Sequence, residues 1–310
     1  MFFKRICVLL FVSALTYPAW SLNEEISSEE SFVYSDEEEK NNSTQQDSEY
    51  LKYTEAEEEN INEELNNEEI SQRNENKLNP DEIAASFYDQ GLKSVKQGKL
   101  LKALNEFSES IDKNSNLYLA YFNRGSINSR LAKYETALDD YNEALKINPD
   151  YAKAYINRGV VLAKLKKYDS AIQDYDKAIE LDPSYQIAYI NRGNLKMQNN
   201  NYTGAVEDFE KASLIEPNDP EAYYALAIAE VRLDQYEKAL INYNKTVELN
   251  PDNAGAYYNR ALLKVRLSNY KLALEDANKA QELYETYTDL SGIKRTENLL
   301  ELIDYKINNP

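Results

Sequence analysis

From Ala84 onward, apolar and small residues return in a beat of 34 residues. Within each beat one set stands at positions 4, 8 and 11–12 and a second at 20, 24 and 27–28. Each set follows the spacing of one helix face, so each beat predicts two helices. Six such blocks run without a gap: 84–117, 118–151, 152–185, 186–219, 220–253 and 254–287. Position 4 is aromatic throughout (Phe87, Tyr121, Tyr155, Tyr189, Tyr223, Tyr257). Position 8 is small (Gly91, Gly125, Gly159, Gly193, Ala227, Ala261), and position 20 is always alanine (Ala103 to Ala273). Position 24 is Phe107, Tyr141, Tyr175, Phe209 and Tyr243, then Ala277. Small residues let paired helices approach, and the rings fill the space between pairs. Each buried ring stabilises by roughly 1.5–3 kcal/mol. Pro149, Pro183, Pro217 and Pro251 at position 32 end the second helix, because proline lacks an N–H and restricts the residue before it. The expectation is an all-α, antiparallel helix-pair solenoid in which no block buries its stripe alone.

These residue classes at these offsets resemble the tetratricopeptide repeat (TPR), over about two-thirds of the chain. Some positions depart from that pattern. The aromatic expected at position 11 is replaced by Ser94, Asn128, Leu162, Lys196, Glu230 and Lys264, and position 7 is often arginine. Ser115 and Glu285 stand where the first and last blocks would carry proline. Beyond the repeats, residues 288–310 carry Leu299, Leu300, Ile303 and Ile307 at helical spacing. This segment is expected to cap the last repeat; a dimerisation helix is the alternative.

Positions 7 and 23 change together. Arg124, Arg158, Arg192 and Arg260 accompany Asp140, Asp174, Asp208 and Asp276, whereas Leu226 accompanies Asn242 and Gln90 accompanies Glu106. An ion pair joining the two helices of a block is the simplest cause, serving register more than net stability. The rival reading has the arginines hold an acidic ligand.

The resemblance implies that the first helices line a concave surface, with positions 2, 5, 6, 9, 12 and 13 facing it. Position 6 carries Asn123, Asn157, Asn191 and Asn259. Stacked carboxamides can bond both N–H and C=O of an extended peptide, as asparagine ladders do in some superhelical TPR proteins. The plainer alternative is bonding within the solenoid. Position 5 is an apolar row, Tyr88, Phe122, Ile156, Ile190, Tyr224 and Tyr258. An exposed apolar row implies a partner; packing of part of it against the neighbouring repeat is the alternative. Position 13 adds Lys96, Arg130, Lys164, Arg232 and Arg266. The expected ligand is a peptide with apolar and acidic side chains. The carboxylate clamp of some TPR domains is not matched, since Phe122 and Ser126 occupy its first two places.

The charge is uneven. The chain carries −19 in all, but 22–80 holds 19 acidic and 4 basic residues, a balance of −15. With no periodic apolar face, that segment is expected to be disordered, and its acidity disfavours nucleic acid. It carries two apolar islands, 31–34 and 50–53, which give a further alternative: the segment occupies the basic groove until displaced. Residues 1–21 combine Lys4 and Arg5 with an apolar stretch from Ile6 to Ala14 and small residues before a cut after Ser21. This predicts a cleaved signal peptide rather than a membrane anchor, and hence a periplasmic or secreted chain, with the lumen or export route of a eukaryotic host as the alternative. Cys7 is the only cysteine and there is no histidine, which removes the usual general base, the nucleophilic triads and most transition-metal sites. No enzyme, cofactor or metal is expected. The chain is read as an interaction scaffold; a structural assembly subunit docking through its convex face or cap is the alternative.

Overall fold

The computed structural model describes residues 79–309; the leader 1–21, the acidic segment up to 78, and every expectation placed on them lie outside the described residues. Thirteen helices make up the described residues, and no strand occurs among them. They are α1 (Pro80–Lys96), α2 (Leu100–Lys113), α3 (Tyr118–Arg130), α4 (Tyr134–Ile147), α5 (Ala152–Lys164) and α6 (Tyr168–Leu181). Then follow α7 (Gln186–Gln198), α8 (Tyr202–Ile215), α9 (Pro220–Arg232), α10 (Tyr236–Leu249), α11 (Ala254–Arg266), α12 (Tyr270–Thr286) and α13 (Leu290–Asn308). The first twelve form six pairs, each with an A helix and a B helix, and α13 follows the last.

α1 starts four residues ahead of the first block. Asn79 accepts from the Glu82 backbone N–H and Glu82 returns a bond to the Asn79 N–H, with Pro80 at the first helical position. This capping box draws the end of the acidic segment into the helix. Each A helix ends on a left-handed residue at position 15: Gly98, then Ala132, Lys166, Asn200, Asp234 and Ser268, with φ between 54° and 75°. B helices end two residues before position 32. α2 stops there without a proline, because the Asn114 side chain accepts from the Asn116 N–H. The same turn closes on Asn148, Asp182 and Asn250. In the last block neither device is present, and α12 runs on to Thr286.

The core lies between the helices of each pair and between successive pairs. Tyr141, Tyr175, Tyr243, Phe107 and Phe209, all at position 24, are the largest fully buried side chains. A Cβ on Gly91, Gly159 or Gly193 would sit 2.6 Å from the ring at position 24 of its own repeat. Glycine at position 8 therefore makes room for that ring. At the far end, Leu299 and Ile303 of α13 are buried against Ala261, Ala273 and Ala277 of the sixth pair, with Leu300 and Ile307 at the margin. Successive A helices touch one another (α3 with α5, α5 with α7, α7 with α9), and no two B helices do so to the same degree. The A helices thus crowd on one side of the stack.

Candidate functional site on the A-helix face

All four Arg–Asp couples close within their own repeats. Arg124 Nη2 lies 2.7 Å from Asp140, Arg158 Nη2 2.7 Å from Asp174, Arg192 Nη2 2.6 Å from Asp208 and Arg260 Nη2 2.6 Å from Asp276. Each carboxylate is buried. Each guanidinium also lies over the position-4 ring of its own helix, 5.3–5.6 Å from the centroid. Its remaining nitrogen reaches position 25 of the preceding repeat: Ser108, Asn142, Asp176 or Asn244. One arginine therefore fixes the helix pair and ties it to the pair before. Charge-assisted bonding to Asp174 holds Arg158 above the ordinary arginine range. Position 11, where the family aromatic is missing, completes the site. Lys196 and Lys264 pair with Asp208 and Asp276, and Asn128 donates to Asp140. In the fifth repeat the polarity inverts. Asn242 donates to Glu230 at 2.7 Å, and burial raises the Glu230 carboxyl.

Two members of the position-5 row are not on an open surface. Ile156 packs with Ala178 and Ala188, Ile190 with Ala212 and Ala222, and both are under a tenth exposed. Position 5 points into the seam between its own B helix and the next A helix. A short branched side chain fits wholly inside that seam, whereas rings outgrow it. Tyr88, Phe122, Tyr224 and Tyr258 accordingly remain half-buried. The apolar row is therefore discontinuous.

The asparagine row also needs correction, because most of its amide groups bond inside the solenoid. Asn123 Nδ2 donates to the Tyr88 hydroxyl at 3.1 Å, Asn259 Nδ2 to the Tyr224 hydroxyl at 2.9 Å and Asn157 Nδ2 to Ser126 Oγ at 3.3 Å. These bonds join position 6 to the repeat before it. Asn259 is 3% exposed and lies out of a peptide's reach. No hydrogen bond ties the half-buried Asn191 side chain to its neighbours among the described residues.

The position-13 cations divide too. Lys96 and Arg130 are exposed. Lys164 and Arg232 are half-buried, and burial lowers the Arg232 guanidinium. Arg266 lies 4.6 Å over the Tyr236 ring and pairs with Asp234 at 3.4 Å, so it belongs to the preceding turn.

Sequence reasoning missed three rings at the N-terminal ends of α3, α5 and α7, Tyr118, Tyr151 and Tyr185, which extend the position-5 rings Tyr88 and Phe122 into an aromatic tract. Tyr118 and Tyr151 meet edge to face at 5.1 Å, and Phe122 meets Tyr151 at 5.0 Å. Tyr118, Tyr185 and Tyr88 are the neighbouring phenols of Tyr151, whose own hydroxyl is pushed up mainly by burial. Tyr88, Tyr118, Phe122, Tyr151 and Tyr185 are all half-buried. The available signal was tyrosine at the last position of two successive blocks, Tyr151 and Tyr185.

Paired antiparallel helices stacked in a 34-residue register define a helical-repeat scaffold. Its repeats match the family profile for Tetratricopeptide repeat over 152–185, and that for TPR repeat over 132–166, 193–234 and 229–268. The chain carries tetratricopeptide repeats over 132–185 and 193–268. No curated protein matches it in sequence. Among solved structures, it is similar to MamA from Desulfovibrio magneticus RS-1, with 26% identity, TM-score 0.52, and coverage of 55% of this chain and 96% of that one. It is similar in fold to PilF of Pseudomonas aeruginosa (19% identity, TM-score 0.61, covering 71% and 98%). A third likeness is to YrrB, a TPR protein with an unusual peptide-binding site (22% identity, TM-score 0.54, covering 62% and 97%). Fold and family support a role as a protein-interaction scaffold. Among the described residues no helix is long and apolar enough to cross a membrane.

Proposed function

We propose that the chain captures an extended peptide on the A-helix face of its first three repeats. The observation that carries this reading is the clustered, half-buried tract of Tyr88, Tyr118, Phe122, Tyr151 and Tyr185. Rings only partly covered by their own scaffold favour a partner with apolar side chains. Asn191, with its amide uncommitted, supplies a polar contact at the next repeat. YrrB gives a precedent for a peptide site in this fold. The test is selection of twelve-residue peptides from a displayed random library on the full chain. Phe122→Ser with Tyr151→Ser should weaken the selected peptides at least tenfold with helicity unchanged. Peptides indifferent to both changes would place the site elsewhere.

Docking through the outer face is the second reading. Leu214 on α8, Ile241 on α10 and Leu272 on α12 are exposed on three successive B helices, at 72%, 66% and 50%. A self-association site there would lose its assembly when all three become serine, read by sedimentation. We read the leader as an export signal, in which case the mature protein begins at Leu22; Edman sequencing of the exported chain would test this.

A further inference from the structure

Six exposed cations crowd one edge of the repeat stack, where A helices turn into B helices in repeats 1–3: Lys96, Lys99, Arg130, Lys133, Lys166 and Lys167. None of them makes an ion pair among the described residues.

Helix-end physics explains Lys96 and Arg130, which face the negative end of the A-helix dipole. It does not explain Lys99, Lys133 and Lys167. Lys99, Lys133 and Lys167 are the N-cap residues of α2, α4 and α6, and none caps its helix with a side-chain bond. A lysine there meets the positive helix end and leaves orphan N–H groups unserved. In the fourth repeat Asn201 at this position accepts from the Gly204 N–H at 3.1 Å, whereas Gln235 and Asn269 of the last two repeats leave it uncapped without placing a cation there. Lys166 adds a second local cost, because it adopts the left-handed conformation with φ 58°. In one stretch of an acidic protein, the sequence thus sets lysine against helix capping three times in succession. Rules broken together at one place mark a function.

We propose that this edge docks the acidic stretch of a partner polypeptide. The proposal rests on the A-helix face as the peptide site, since Lys96 and Arg130 belong to both. Neighbouring helix axes lie about 8–10 Å apart, and an extended chain rises about 3.3 Å per residue. Carboxylates on alternate residues of such a chain lie on one side about 6.6 Å apart, and the long, flexible lysine and arginine side chains make up the difference to the spacing of the repeats. The edge is also narrow. Glu135 and Asp169 are exposed two residues beyond Lys133 and Lys167. These carboxylates repel a duplex or an anionic bilayer, both of which spread well past the edge, while a single extended chain stays within it.

The experiment uses the full chain and a fluorescent twelve-residue peptide of alternating Glu and Leu. Lys99→Asn, Lys133→Asn and Lys167→Asn are combined, which removes three cations and places at each helix start the residue found there in repeats 4 and 6. The proposal expects peptide affinity to fall at least tenfold at low salt while the unfolding midpoint holds or rises. Unchanged affinity in the triple variant overturns it. So does tighter binding of a twelve-residue oligothymidine, or of phosphatidylserine vesicles, than of the peptide. The Phe122→Ser, Tyr151→Ser variant separates the two readings. If it weakens the peptide and the lysine variant does not, the A-helix face stands and the basic edge falls. If only the lysine variant weakens it, the edge stands and the aromatic tract falls.

Discussion

At the scale of single residues, polar groups in this scaffold hold register. Asp208 is 2% exposed and takes both Arg192 and Lys196, whereas Asp174 takes Arg158 and has Leu162 at position 11. Removing a buried anion strands its cations. Asp208→Asn should therefore cost about 3–5 kcal/mol in urea denaturation, and more than Asp174→Asn, which leaves one cation instead of two. Glu230 runs the other way. Its carboxyl is raised by burial in the folded state, so the fold binds the proton more tightly than the unfolded chain does. Stability therefore falls as pH rises above the unfolded carboxylate pKa. Glu230→Gln should raise the melting temperature at pH 7 and give no gain at pH 4; equal effects at both would contradict the assignment. The Arg–Asp couples were legible in the sequence because six repeats act as an internal comparison. The bond from arginine to position 25 was hidden, since Ser108, Asn142, Asp176 and Asn244 share only an acceptor. The fate of position 5 depends on side-chain size against seam depth, which residue class alone does not convey.

At the scale of elements, the A–B pairs follow from two fixed devices, the left-handed turn at position 15 and the ring seated on position 8. Lys166→Gly should stabilise by about 0.5–1 kcal/mol, the strain of a β-carbon in that conformation less glycine's entropy. Gly193→Ala should destabilise by about 1–3 kcal/mol, because its new methyl would lie 2.6 Å from the Phe209 ring. Denaturant midpoints check both signs. Helix existence and pairing were readable from periodicity. Helix ends were less so: proline marks a stop, yet α2 stops without one, and α12 shows how far a B helix runs when no stop is present. The aromatic tract escaped notice because it straddles the joint between blocks, where positions 34 and 1 vary from repeat to repeat.

At the scale of the molecule, stability arises between neighbours, so damage should stay local. Ile303 is fully buried under the last repeat. Ile303→Ala should cost about 2–4 kcal/mol and speed hydrogen exchange in α11 to α13 while α3 to α6 keep their protection. The same modularity lets function occupy one part of the stack. The clustered aromatic tract and the uncompensated lysines both lie in repeats 1–3, whereas the exposed Leu214, Ile241 and Leu272 lie on the B helices of repeats 4–6. The most direct test of peptide capture places a photo-crosslinking benzoylphenylalanine at position 122 on the A-helix face, and separately at position 241 on the outer face, in the presence of a library-selected peptide. Capture on the A-helix face predicts a crosslink from position 122 and none from 241; a crosslink from 241 alone would contradict it.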